Sequence, residues 1–151
     1  MSIRANIELY DGWEQCVGQG TVTKWRKGAV LYHYRDGHPS RMGPELERVM
    51  QAVKHELKMA MFPFWRDSER VAALMVKSSA DGFTFYKGVS RFGPCSDLHA
   101  DTDFVWRVFL GPEDGVYDIQ CFELTYDRDK GVINHLASVD WRQAMKRQPG
   151  R

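Results

Sequence analysis

Apolar residues in the first half of the chain recur at intervals of three, four and seven positions, and this spacing predicts one long amphipathic helix. The predicted buried stripe consists of Leu46, Val49, Met50, Val53, Leu57, Ala60 and Met61. Pro44 suits a first helical residue, and Glu45 and Glu47 suit the positive start of a helix. Pro63 restrains the residue before it, so the helix is expected to end there.

Two shorter helices are predicted further along the chain. Asp67 or Ser68 is expected to cap a helix over about 69–79, because a short polar side chain satisfies the free backbone N–H groups of the first turn. Asp140 is expected to cap a short closing helix over 141–147 in the same way.

Segments rich in alternating, β-branched or aromatic residues predict strands before and after the helices. They cover 6–10, 21–25, 29–34, 83–87, 104–110, 117–125 and 132–138. Asp11-Gly12 is predicted to be the turn that ends the first strand. Segment 104–110 is apolar on both faces apart from Arg107, which is typical of a central strand.

The order of these elements predicts an α+β fold, because strands come first, helices follow and strands return at the end. We expect one domain over residues 1–145, followed by a flexible tail over 146–151. The domain is predicted to hold an antiparallel sheet of about five to six strands, with two main helices packed on one face and a short C-terminal helix.

Composition narrows the class of protein. With 43% apolar and 27% charged residues the 151-residue chain is neither disordered nor fibrous. No apolar run reaches the roughly 18 residues of a membrane span, and the first residues lack the apolar region of a signal peptide. Cys16, Cys95 and Cys121 are widely spaced, which favours reduced thiols. We therefore expect a cytoplasmic protein without membrane contact or cofactor.

The net charge of +1 hides a local division of charge. Residues 21–35 hold four basic and no acidic residues, whereas residues 97–129 hold nine acidic and two basic residues, a net charge of −7. Such a chain is suited to self-association of basic with acidic faces, or to a small anion pocket, and solvated faces are the alternative. The near-zero total favours neither nucleic acid nor anionic lipid as a partner.

The densest set of candidate binding groups is the segment from Leu31 to Pro39, which contains two histidines, two tyrosines, an arginine and an aspartate. Arginine binds phosphate or carboxylate through two hydrogen bonds, and the following helix start offers free backbone donors. Strand alternation places Tyr32 and His33 on opposite faces. The alternative is a structural turn with tyrosines in the core. The full set of predicted ligand-binding residues is Arg4, Trp25, Tyr32, His33, Arg35, Asp36, His38 and Arg107.

Catalytic motifs are scarce. The patterns GxSxG, SxxK and HExxH do not occur, so the sequence favours binding over catalysis. His99, Asp101 and Asp103 share one side of an extended segment and are a weak candidate for a metal site, with a solvated acidic loop as the alternative.

Four short stretches resemble a widespread group of small phage and bacterial proteins. They are Ser2–Ile7, Leu31-Tyr32, Asp36–Pro39 before a helix, and Asp101–Trp106. That group opens with a Gly-Thr-Arg-x-x-Ile element and carries an HxDGYP turn before its first helix. The turn histidine of the group falls on Tyr34 here, and the turn tyrosine falls on His38. The resemblance implies binding without turnover, since similar phage proteins sequester cyclic nucleotide signals of host defence, as the anti-Thoeris sponges do.

Together these features predict a non-enzymatic binding protein of phage or mobile-element type that captures a small anionic, nucleotide-like ligand, with homo-oligomers expected. One alternative is a protein inhibitor that docks on a host enzyme through the acidic segment 97–129. Another is a metal-dependent phosphodiester hydrolase that uses His99, Asp101 and Asp103.

Overall fold

Six strands and three helices make up the described part of the chain in the computed structural model, which covers residues 3–33, 37–61, 65–78, 92–95, 102–127, 129 and 132–146. The strands are β1 (Ala5–Val17), β2 (Gly20–His33), β3 (Phe92–Cys95), β4 (Phe104–Leu110), β5 (Tyr117–Asp127) and β6 (Val132–Val139). The helices are α1 (Pro39–Ala60), α2 (Ser68–Ser78) and α3 (Trp141–Lys146). The predicted strand at 83–87 lies outside the described residues.

All six strands form one sheet in the order β3-β2-β1-β4-β5-β6, which confirms the α+β class. The prediction of a wholly antiparallel sheet is wrong at one place, because β1 and β4 run parallel while the other pairs are antiparallel. Parallel neighbours need a long connection, and here β2, both main helices and β3 lie between the two strands along the chain. Strand β4 is central, as its apolar sequence predicted.

The first hairpin is longer than predicted. Segments 21–25 and 29–34 were expected to form two strands, but both belong to β2, and Gly28 is the extra residue of a bulge opposite Leu9 and Tyr10. The predicted turn at Asp11-Gly12 is also wrong, because both residues lie inside β1 and pair with Arg26 and Trp25. The Asp11 carboxylate is used by distant groups instead of by a local turn.

The predicted helices are confirmed, with one corrected start. Helix α1 begins at Pro39 instead of Pro44, because the ring of His38 accepts a hydrogen bond from the N–H of Ser40 at 3.3 Å and so caps the helix. Asp67 caps α2 by accepting from the N–H of Arg70 at 3.2 Å. Asp140 accepts from Gln143 and starts α3. None of the described helices combines the length and apolar character needed to cross a membrane.

The core lies between the helices and one face of the sheet. The alternate residues Ile7 and Leu9 of β1, with Trp106 and Val108 of β4, point to the helices and are buried. From the helix side, the predicted stripe of α1 packs against them, and its members from Leu46 to Leu57 are buried as expected. The prediction is wrong for Ala60 and Met61, which are exposed because the helix ends at Ala60 and Met61 forms its left-handed cap. We call the other side of the sheet, where no described helix packs, the open face.

The distal halves of β1 and β2 extend beyond the rest of the sheet. Strand β4 pairs with β1 only as far as Asp11, and β3 pairs with β2 only from Val30 onward. Within the described residues, Gly12–Val17 and Gly20–Trp25 therefore pair with each other alone. We call this two-stranded segment the β-arm.

Candidate functional site

A row of aromatic rings crosses the open face where the β-arm leaves the sheet. Tyr10 and Phe109 are cross-strand partners whose rings stack with centroids 4.9 Å apart. Trp25 meets Phe109 edge to face at 5.1 Å, and 39% of its surface is exposed. The indole lies directly over Gly12, where a Cβ atom would overlap the ring. A glycine at position 12 therefore gives Trp25 its place beside Phe109.

A buried carboxylate organises the charged groups next to this row. Glu8 is 8% exposed and its Oε1 accepts hydrogen bonds from Arg107 Nε and from the Tyr10 hydroxyl, each at 3.0 Å. Lys27 Nζ lies 3.4 Å from Oε2 of the same residue. Burial, followed by the charge of Glu8, raises the pKa of Tyr10 to about 12, so this phenol stays a donor at neutral pH.

Arg107 is held in place by these contacts and still reaches the surface. Its guanidinium carbon lies 4.8 Å from the centroid of the Phe122 ring, and its side chain is 32% exposed. The terminal nitrogens make no hydrogen bond to any side chain or backbone group in the described ranges. With Nε held by Glu8 and the side chain partly exposed, the two terminal nitrogens are available as donors to an anion.

A groove of about 210 Å³ lies between the aromatic row and β5. It is lined by Trp25, Phe109, Gly111, Val116, Tyr117, Asp118 and Gln120. Gln120 donates to Asp118 Oδ2 at 3.3 Å, and Gln120 is the cross-strand partner of Arg107. The groove thus combines ring faces, a carboxylate and an amide with a guanidinium one strand away.

A larger cavity of about 380 Å³ lies at the C-terminal end of α1, on the helix side of the molecule. Its lining combines the apolar side chains of Leu57, Met61 and Trp65 with Lys54 and Lys58. The negative end of the α1 dipole faces this cavity, which disfavours an anion, and Lys58 in the last turn offsets that dipole. This cavity is therefore less suited to bind an anion than the groove on the open face.

Three of the predicted ligand residues lie on the open face, but they are not adjacent. Trp25 and Arg107 flank the groove, whereas Tyr32 pairs with Asn6 near the start of β1. Trp25 pairs with Gly12, which lies six residues after Asn6 in β1. At the usual rise per strand residue, Tyr32 is therefore roughly 20 Å from Trp25.

Arg4 and His38 lie at the opposite end of the sheet from the groove. The backbone N–H of Arg4 donates to Asp103 Oδ2 at 3.0 Å, next to the first residue of β4. The ring of His38 lies 5.9 Å from that of Phe104, and its Nδ1 is within 2.9 Å of Ser40 Oγ. The contacts of His38 are those of a helix cap.

His33 is buried on the helix side of the sheet and cannot act together with Tyr32 as a ligand-binding pair. It is 1% exposed, and its ring packs edge to face on Phe92 at 4.8 Å on the helix side. Tyr32 and His33 occupy opposite faces of β2, as their alternation predicted. Arg35 and Asp36, which complete the predicted segment, lie outside the described residues.

The described residues bring together neither the predicted metal site nor the predicted acidic face. Asp103 is engaged with Arg4, while His99 and Asp101 lie outside the described residues. Across the described ranges, no three His, Cys, Asp or Glu side chains lie close enough to hold a metal ion. The acidic side chains of 97–129 are also dispersed, since Asp118 lies on the open face, Glu123 on the other side of β5, and Asp103 at the far end.

The set predicted from the sequence contains Trp25, which lines the groove, and Arg107, which lies beside it, but not Phe109, Asp118 or Gln120, which also line it. The alternation of β5 marks Asp118 and Gln120 as sharing one face, and no local pattern shows which strand faces Trp25. Comparison of the chain with protein-family models, with curated proteins and with solved structures finds no match in any of the three.

Proposed function

We propose that the protein is a non-enzymatic binding protein that captures a small nucleotide-like anion in the groove of the open face. The observation that carries this proposal is the juxtaposition of the exposed Trp25 ring with Asp118 and Gln120, beside the guanidinium of Arg107. A nucleotide needs these features in this combination: a surface for its ring, partners for its ring edge and a cation for its phosphate.

The planar part of the ligand binds against Trp25. The indole lies over Gly12 and meets Phe109 edge to face, and Phe109 in turn stacks on Tyr10, so the indole loses little freedom when a second ring stacks on it. Stacking of a base on an aromatic side chain contributes about 1–3 kcal/mol. The groove volume of about 210 Å³ suits one ring system and leaves the substituents of the ring at the surface.

The polar parts of the ligand meet Asp118, Gln120 and Arg107. The Asp118 carboxylate accepts from N–H groups on the ring edge, and the Gln120 amide donates or accepts beside it. The phosphate lies toward Arg107, whose terminal nitrogens supply two charge-assisted donors. Lys27 adds a second cation, and Glu8 offsets one of the two charges.

The groove supports binding more than turnover. Among the described residues that line it, the one hydroxyl belongs to Tyr117, which donates to Glu47 at 2.9 Å and accepts from Gln51 at 2.7 Å on the helix side. Burial raises the pKa of Tyr117, with Glu47 adding to the effect. The groove therefore sets no activated nucleophile beside the expected position of the phosphate.

Isothermal titration calorimetry tests the proposal with nucleoside monophosphates and cyclic nucleotides, the latter because the resemblance to phage proteins implies them. We expect Trp25→Ala to weaken binding about 5- to 150-fold, the loss of 1–3 kcal/mol. Trp13→Ala is the matched control, since Trp13 is similarly exposed but lies on the other face of the β-arm. Absence of binding heat with every ligand at millimolar concentration, or an equal loss in both variants, would contradict the proposal.

A further inference from the structure

The exposed apolar side chains of the described residues gather at one end of the molecule. They are Trp13, Val17, Val22, Trp25, Met59, Met61 and Val116. Four of them belong to the β-arm, two to the end of α1 and one to the loop after β4. Trp13, Val17 and Val22 share one face of the arm and Trp25 lies on the other. Exposed apolar side chains grouped on one face suit a contact with another molecule.

The β-arm is amphipathic. Trp13, Val17 and Val22 lie on its helix-side face, which we call the apolar arm face after these three exposed residues; Gln15 and Lys24 lie on the same face. The opposite face carries Glu14, Cys16, Thr21 and Thr23, with Trp25 as its exposed apolar residue. An isolated two-stranded ribbon is marginally stable in water, so a ribbon with one apolar face gains stability when that face is covered.

Charges of opposite sign lie on the apolar arm face and next to its base. Lys24 is the cross-strand partner of Trp13 and makes no ion pair with any described residue. Glu69 is exposed in the first turn of α2, where its charge acts on Arg26 without an ion pair to any residue of the described ranges. Helix α2 sits on the base of the β-arm, because the N–H of Ser68 donates to Asp11 at 2.6 Å.

These observations favour a second copy of the chain as the molecule that covers the apolar arm face. A twofold arrangement that packs Trp13 on its own copy leaves Lys24 of each chain free to approach Glu69 of the other. Such a contact joins apolar side chains to apolar side chains and a cation to an anion. The net charge of +1 adds almost no long-range repulsion between copies.

We propose that the chain forms a twofold homodimer in which two β-arms pack against each other through their apolar faces. Sedimentation velocity from micromolar to millimolar concentration measures the dimer. We expect Trp13→Gln combined with Val22→Thr to weaken the dimer at least tenfold. Met59→Gln is the control: it removes an even more exposed apolar side chain outside the β-arm, and we expect it to leave the dimer intact.

A charge exchange tests the pairing of Lys24 with Glu69. Lys24→Glu and Glu69→Lys are each expected to weaken the dimer, and the double variant is expected to restore it. Spin labels on the exposed Cys16, in a Cys95→Ser background, should give one defined distance between chains that the Trp13→Gln, Val22→Thr variant loses.

Four results would overturn the homodimer. The first is a wild-type chain that stays monomeric at millimolar concentration, and the second is a dimer that the arm variant does not weaken. The third is a double charge variant no tighter than the single ones. The fourth is a monomer that binds vesicles of phosphatidylglycerol and phosphatidylcholine through Trp13 and Val22, which would replace the second copy by a lipid surface.

Discussion

Asp11 joins three parts of the fold through one side chain. Its carboxylate accepts from Arg26 at 2.7 Å, and from the backbone N–H and hydroxyl of Ser68 at 2.6 and 3.2 Å. The hydrogen bond and then the charge of Asp11 raise the pKa of Arg26. A residue that resembles a turn former in the sequence therefore caps α2 from the sheet, and the close approach of Ser68 leaves no room for a side chain at Gly28.

We expect Gly28→Ala to destabilise the fold by about 1–3 kcal/mol, the usual cost of forcing extra atoms into a packed site. A Cβ atom at position 28 would overlap the Ser68 hydroxyl and disturb its bond to Asp11. Gly20→Ala is the control, because a Cβ there comes no nearer than 3.9 Å to another group. Urea denaturation measures both variants, and equal midpoints for the two would disprove the explanation.

The cysteines should differ in reactivity because they differ in burial. Burial, with a smaller effect of Glu123, raises the pKa of Cys121 to about 12, whereas Cys16 is exposed. At pH 8 we expect a thiol reagent to modify Cys16 rapidly and Cys121 only after unfolding, as followed by mass spectrometry of peptides. Rapid modification of Cys121 in the folded chain would show that this thiol is accessible to solvent, which would contradict the explanation.

The same shift predicts a pH dependence of stability. The folded-state pKa of Cys121 lies above its ordinary value of 9.0, so burial of the protonated thiol stabilises the fold at pH values below 9.0. This contribution is lost as the pH rises from 9.0 toward 12. Cys121→Ala should therefore show a flatter decline of unfolding free energy over that range than the wild-type chain.

At the scale of elements, α1 owes its stability to the stripe that the sequence predicts. Leu46, Val49, Met50 and Val53 are fully buried against the sheet, while Met59 is 71% exposed near the end of the helix. The burial of one side of α1, more than its intrinsic propensity, holds the helix in place.

Met50→Ala and Met59→Ala form a matched pair within this helix. We expect Met50→Ala to reduce the free energy of unfolding by about 2–5 kcal/mol, since a buried side chain leaves a cavity. Met59→Ala should change it by less than about 0.5 kcal/mol, as surface substitutions usually do. Chemical denaturation measures the difference, and similar losses in both would contradict the placement of the helix.

At the scale of the whole molecule, stability and exposed apolar surface lie at different places. The central strands β1 and β4 are buried between the helices and their neighbours from Ala5 to Asp11, whereas the β-arm has exposed residues along both of its strands. The groove and the apolar arm face both lie where the arm leaves the sheet.

Hydrogen exchange should reproduce this gradient. In a sample dilute enough to be monomeric, we expect amides of β4 to exchange most slowly and those of Glu14–Val17 to exchange quickly, because local opening there breaks few contacts. Mass spectrometry of peptides resolves the two regions. Arm amides that exchange as slowly as those of β4 in the monomer would contradict the gradient. At high concentration the arm should become protected if the homodimer forms.

The sequence by itself determined the elements whose signal is local. Apolar spacing specifies the buried stripe of α1, and Asp67 and Asp140 mark helix starts, because a cap acts within four residues of itself. Likewise, the apolar run from Phe104 to Leu110 specifies a central strand, since both of its faces must be buried.

Tertiary structure alone decided the matters that depend on residues far apart in the chain. Asp11-Gly12 became strand instead of turn because Ser68, 57 positions away, takes the Asp11 carboxylate. The parallel pairing of β1 with β4 brings Phe109 and Arg107 beside Tyr10 and Glu8, and so builds the groove next to Trp25. Neither contact has a sequence signature, because strand order and register are set by the packing of the whole sheet on its helices.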